Sequence, residues 1–250
     1  MSVGQATTWS RLRGHRDQRE HFEGILSAGR LGHAYLLVGP EGIGKLTFAR
    51  CLAACLLCPK TDDSALEACG ECRSCKQIAA GSHPDLLEVG LPEGKNVVPI
   101  SLLVGDGESR GRTGLCYDLS LSPMESNRRV AILDDADHLE RDGYSALLKT
   151  LEEPPAHSVM ILVAGSEADI RDTIRSRCQL VRFSSLQATD VAELLIETGA
   201  TENRGEADLA AGLADGSVAT GALMLDPNMR ILRETLYRHL ARVPLDPLKM

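Results

Sequence analysis

The chain has 250 residues, 43% of them hydrophobic and 25% charged, with a formal net charge of −8. That length allows one large domain or two small ones, with the composition of an ordinary globular chain. No apolar run reaches the length of a membrane span, no apolar segment opens the chain, and its negative charge is poorly suited to gripping DNA alone. The expectation is a cytoplasmic protein with no membrane partner, eight reduced cysteines and, with aromatics at 3%, a core of Leu, Ile, Val and Ala.

Apolar residues at helical spacing (Phe22, Ile25, Leu26) followed by Gly29 predict a first helix. "AYLLVG" predicts a short buried strand. The loop Gly39-Pro40-Glu41-Gly42-Ile43-Gly44-Lys45 comes next, then an Ala/Leu-rich helix, "KLTFARCLAACLLC". Pro59 to Lys76 is polar and punctuated by cysteines. "DLLEVGL" predicts another strand. Residues 92–128 resist assignment, because "VGDGESRGRTG" is too rich in glycine for a helix. "RRVAILDDAD" predicts a buried strand ending in acids, and "RDGYSALLKTLEEPP" an amphipathic helix stopped by Pro154-Pro155. "SVMILVAGS" predicts a strand, "EADIRDTIRSRC" a short helix, and "QLVRF" a final strand. Apolar runs alternating with helices predict an α/β fold whose parallel sheet is covered on both faces. Past Ser184 only short helical patterns remain, so a boundary is expected near Phe183–Leu186.

Three features carry chemistry. In the first, strand, glycine loop and helix follow in the order a phosphate-binding loop needs. Gly39, Gly42 and Gly44 would let backbone N–H groups wrap phosphate oxygens, and Lys45 would reach the terminal phosphates. The next position normally supplies the hydroxyl that holds Mg²⁺; here it is Leu46. Thr47 lies about 100° further round the helix and is a poor substitute. Asp134 and Asp135 close a buried strand, where such a site has one acid near Mg²⁺ and a second that polarises water; Asp135 is a methylene shorter than the usual Glu. The second feature is Cys58-x10-Cys69-x2-Cys72-x2-Cys75, which suits a closed, structural Zn²⁺ site. Cys55 forms an alternative first pair with Cys58; Cys58 is favoured because it lies just past the helix, while Cys51 and Cys55 read as core residues. The third is "TIRSRCQLVRF", whose Arg175 and Arg177 are either solvated or an arginine finger for a neighbour's nucleotide.

In this order, "GRLGHAYLLVGPEGIGK", the four-Cys insert, "ILDDADHL", "SALLKTLEEPP" and "TIRSRC" resemble the AAA+ subunits of bacterial clamp loaders, from about Trp9 to about Leu225. The resemblance implies a P-loop AAA+ core over residues 1–184 with a zinc module inserted at about 58–76, and a small helical lid over 185–228. Residues 229–250 would then begin a truncated or reduced C-terminal helical region, where the family's collar domain barely starts. Within that family, Leu46, Asp135, Ala219 at the place of a nucleotide-sensing Arg, and "SHPDLLEV" point to the delta-prime kind rather than the ATP-hydrolysing tau/gamma kind.

What this implies is a subunit of the DNA polymerase III holoenzyme, a DNA-directed nucleotidyltransferase, that supports ATP-driven loading of the sliding clamp on primed DNA during replication. Its partners would be the tau/gamma and delta subunits. Arg177 would act in trans, and the chain's own ATP/Mg²⁺ site would hydrolyse weakly or not at all. Two alternatives are an active tau/gamma-like ATPase and a zinc-ribbon nucleic-acid binding protein.

Overall fold

The computed structural model describes Trp9, residues 12–62 and residues 64–241. Among these, the chain divides into two compact units. The first runs to Pro40 and from Gly44 to Ser184; the second joins Glu41–Ile43 to the chain from Ser185 onward.

The first unit is built on a five-stranded, all-parallel sheet. The strands are β1 (Ala34–Val38), β2 (Leu86–Val89), β3 (Arg129–Leu133), β4 (Ser158–Ala164) and β5 (Gln179–Arg182), in the spatial order β2-β3-β4-β1-β5. β1 and β3 are buried at every position, as is β4 after its first residue. That is why they read as unbroken apolar runs: both faces of a central parallel strand are covered. The edge strands β2 and β5 are only partly buried.

The helices of this unit are α1 (Arg16–Ser27), α2 (Lys45–Leu57), α3 (Arg73–Ala79), α4 (Ser101–Val104), α5 (Leu115–Ser120), α6 (Arg141–Glu152) and α7 (Asp172–Arg175). α2 is buried along most of its length, which its Ala/Leu/Cys content permits. α6 is amphipathic, with Tyr144, Leu147 and Leu151 turned inward. One core layer is aliphatic, joining Leu36, Leu133, Leu147 and Leu162. The aliphatic expectation is incomplete elsewhere. All three phenylalanines, Phe22, Phe48 and Phe183, cluster with Tyr35 and Trp9 at centroid distances of 4.9 to 5.7 Å, so the few aromatics are concentrated rather than dispersed.

The segment that resisted assignment holds α4 and α5 separated by a glycine-rich turn. Gly105, Gly107, Gly111 and Gly114 all have positive φ, a local path that side-chain periodicity does not encode.

The second unit contains α8 (Ala188–Glu197), α9 (Arg204–Leu213), α10 (Val218–Leu225) and α11 (Pro227–Leu240). Asn203, Ser217 and Asp226 cap α9, α10 and α11 by accepting from first-turn N–H groups. α11 buries none of its residues. Within this unit the Val218 N–H donates to the Gly42 carbonyl (2.9 Å), and a Cβ built on Gly42 would come within 2.7 Å of the Ala219 Cβ. No helix among the described residues is long and apolar enough to cross a membrane.

Candidate functional site

β1 delivers the chain to Gly39, whose φ of 154° lies where side chains rarely sit. A Cβ there would collide with the Phe183 carbonyl, because Phe183 donates its N–H to Val38 (2.7 Å) and continues the β5 pairing. Gly42 (φ 71°) and Gly44 (φ 97°) complete the turn, and Gly44 occupies the N-cap of α2. No side chain caps this helix, so its first N–H groups are oriented for an anion. Lys45 is buried, and its Nζ donates to the carbonyls of Gly39 and Pro40, each at 2.6 Å. Leu46 and Thr47 follow in the first turn, both half-buried.

Asp134 closes β3 and accepts the Asp135 N–H on Oδ1 (3.0 Å). Burial pushes its carboxyl up to about 6; the charges of Asp135 and Glu88 add to this, while the Asp135 N–H and Lys45 oppose it. Loop lysine and strand acid therefore share one electrostatic field. Asp135 adopts the left-handed conformation (φ 52°, ψ 42°), and its Oδ2 accepts the Leu91 N–H at 3.3 Å. Sequence reasoning missed the pair beside them. Arg50 on α2 makes two hydrogen bonds to Glu88 on β2; the Glu88 charge pushes Asp134 up, and Asp134 in turn helps hold Arg50 charged. Residues 38 apart on two elements leave no spacing signal to find.

Arg177 lies elsewhere. Its Nη2 meets Glu152 of α6 at 2.6 Å, and its Nη1 donates to the Thr173 carbonyl at 2.8 Å, with the side chain 35% exposed. Arg175 instead pairs with Asp172 (2.7 Å) and Glu167 (3.9 Å). The β1–β5 register sets Tyr35 against Gln179 and Val38 against Arg182. Arg177 therefore precedes the amino end of β5, while the glycine loop leaves the carboxyl end of β1. The four residues of β5 separate the two levels, about 13 Å of strand.

The cysteines form a third locus, past the other end of α2 and about 20 Å along that helix from Lys45. The sulfurs of Cys58, Cys69, Cys72 and Cys75 all lie within 4.8 Å of one another, with Cys58–Cys72 at 4.0 Å and Cys69–Cys75 at 3.9 Å. A tetrahedral centre with metal–sulfur bonds of about 2.3 Å has edges of about 3.8 Å, so the set fits a metal ion. Backbone N–H groups already point at sulfur: Cys72 donates to Cys69 and Cys75 to Cys72, both at 3.4 Å. At Cys58, burial works against ionisation, yet N–H groups of Cys69 and Lys60 and the Thr61 hydroxyl outweigh it and bring the thiol down to about 6. Cys55 stands apart. Its sulfur accepts the Trp9 indole N–H (3.3 Å), and burial pushes it up to about 12. Cys51 is likewise pushed up to about 12 by burial.

Comparison with known proteins agrees with this anatomy. A family described as "DNA polymerase III, delta subunit" matches residues 14–187. The chain is 34% identical over 168 residues to the DNA polymerase III subunit delta' of Bacillus subtilis, covering 67% of this chain and 47% of that protein. It is 36% identical over 146 residues to the delta' subunit of Pseudomonas aeruginosa, covering 58% and 41%. It is also 36% identical over 173 residues to the tau subunit of Salmonella typhimurium, covering 68% of this chain and 24% of that one. The chain thus spans less than half the length of these curated relatives. Among solved structures, the Thermotoga maritima RuvB Holliday junction branch migration motor superposes with a TM-score of 0.51 at 12% identity, covering 90% of this chain and 64% of that one, a likeness of fold alone. The chain belongs to the DNA polymerase III delta-subunit family, within the clamp-loader group that includes the delta', tau and gamma subunits.

Proposed function

We propose that this chain is a delta-prime-type subunit of a DNA polymerase III clamp loader, working in the cytoplasm. It supports ATP-driven loading of a sliding clamp on primed DNA beside tau/gamma and delta subunits. Its contribution to ATP chemistry is made in trans: Arg177 offers its guanidinium to the nucleotide of an adjacent ATPase subunit, where a fixed positive fork stabilises charge on the transferring phosphoryl group. The observation that carries this reading is the position of Arg177, before the amino end of β5, whereas the chain's own glycine loop leaves the carboxyl end of the neighbouring parallel strand β1. The Glu152 and Thr173 contacts support it by fixing the side chain before any neighbour arrives.

The chain's own loop keeps Gly39, Gly42, Gly44, Lys45, Asp134 and Asp135 as groups that would face a nucleotide. Leu46 supplies no hydroxyl for Mg²⁺ and Thr47 is turned away from that role, so own-site hydrolysis is weak or absent. Zn²⁺ is the metal that suits four thiolates at tetrahedral spacing, held by Cys58, Cys69, Cys72 and Cys75, and with no open position its role is structural. Reconstitution with the cognate ATPase subunits tests the reading. Arg177→Ala should lower DNA-stimulated ATP turnover by about 100-fold or more, toward the range known for arginine fingers; unchanged turnover removes the trans role.

A second reading, an ATPase of the tau/gamma kind, is favoured by comparable identity to the tau subunit. It requires the purified chain to turn over ATP and to lose that activity with Lys45→Ala.

A further inference from the structure

Cys58 reaches the cysteine cluster from the end of α2, while Cys72 caps α3 and Cys75 lies in its first turn, so something must hold the two elements in register. A buried polar knot does so. The Ser74 hydroxyl, one residue before Cys75, donates to the carbonyl of Leu57, the residue before Cys58 (2.8 Å). The Ser126 hydroxyl donates to the same carbonyl at 3.2 Å. His83 closes the knot. Its Nδ1 accepts the Asp85 N–H (3.1 Å), which leaves the proton on Nε2, and Nε2 lies 2.9 Å from Ser74 Oγ and 3.5 Å from Ser126 Oγ. Ser74 and His83 are both buried.

The knot is in turn fixed to the sheet. Asp85 is fully buried, and its carboxylate accepts the N–H groups of Met124 (2.7 Å), Glu125 (2.8 Å) and Ser126 (2.8 Å), with Arg129 of β3 at 3.6 Å. Asp85 also accepts the Val130 N–H on its carbonyl (2.9 Å), beside the β2–β3 ladder. Ser82-His83-Pro84-Asp85 thus joins the cysteine helix, the end of α2 and the turn before β3 at one point.

We propose that Ser74, His83 and Ser126 are the positioning residues of the four-cysteine centre: by clamping the Leu57 carbonyl to α3 they assemble the ligand set on the sheet edge before metal arrives. This rests on the metal reading of that centre. A metal site whose sulfurs are already at bonding separation loses less freedom on binding, so the clamp appears in metal affinity and not only in fold stability.

The test is competition for Zn²⁺ between the full chain and a chromophoric chelator, with Co²⁺–thiolate absorption as a second readout. Ser74→Ala and His83→Ala should each weaken Zn²⁺ binding by about 10- to 100-fold, the range for lost outer-shell partners. They should keep one metal per chain, and Ser74→Thr, which retains the hydroxyl, should restore most of the affinity. Should either alanine variant fail to fold, the half-buried Ser126→Ala supplies the same measurement. Wild-type affinity in these variants overturns the proposal, as does a loss of stability that is equal with and without metal. A wild-type chain that takes up neither Zn²⁺ nor Co²⁺ overturns the metal reading itself.

Discussion

Asp134→Asn probes the half-buried acid at the end of β3. An ordinary Asp titrates at 3.8, and Asp134 at about 6, chiefly because burial disfavours the charged form. A group whose folded value is raised contributes stability below its unfolded value and loses it as pH rises through the folded one. The loss therefore accrues between pH 3.8 and about 6 and is complete at neutral pH. The gap of about 2 corresponds to about 3 kcal/mol, an upper bound because Asn keeps only part of the hydrogen bond to the Asp135 N–H. Urea denaturation of the full chain at pH 5 and pH 7.5 measures it. The Asn variant should be more stable than wild type by about 1–3 kcal/mol at pH 7.5, and that advantage should shrink by about 1 kcal/mol at pH 5. A variant less stable than wild type at pH 7.5, or an advantage identical at both pH values, refutes the reasoning: Asp134 would then be paired rather than merely buried.

Cys58→Ser should abolish stoichiometric Zn²⁺ uptake measured by elemental analysis, whereas Cys55→Ser, whose sulfur serves Trp9, should leave it unchanged. Asp85→Ala should cost about 3–5 kcal/mol in chemical denaturation, because it leaves the buried Arg129 charge without its counter-ion and three N–H groups without their acceptor. Leu147→Ala, at a fully buried position of α6, should cost about 2–5 kcal/mol in the same assay. His83 is held below the usual imidazole range, first by burial, so its contribution to stability should be present above pH 6.5 and fade as pH falls below it; a thermal-shift series of wild type against His83→Gln, in which only wild type shows this fade, checks the sign.

Much of the scaffold was legible because it is written locally. All five strands are short, and the three central ones are largely apolar runs without polar alternation, which is what two covered faces require. The glycine loop was legible because positive φ at Gly39, Gly42 and Gly44 demands that residue type. Cysteine spacing announced a ligand set. The turn from Gly105 to Gly114 stayed opaque: its shape comes from backbone angles and contacts rather than from a repeating pattern.

By itself, then, the sequence determined most of the element types, a glycine loop followed by Lys45 and Leu46, and four cysteines at ligand spacing. Tertiary structure alone decided the rest. It set the strand order β2-β3-β4-β1-β5, put Arg177 at the opposite end of the sheet from the loop, and tied Cys55 to Trp9 while bringing Cys58 to the other thiols. It also raised Asp134 by burial and drew Ser74, His83, Asp85 and Ser126 into one knot. These outcomes depend on groups far apart in the chain and on how deeply each is removed from water, quantities that no local spacing records.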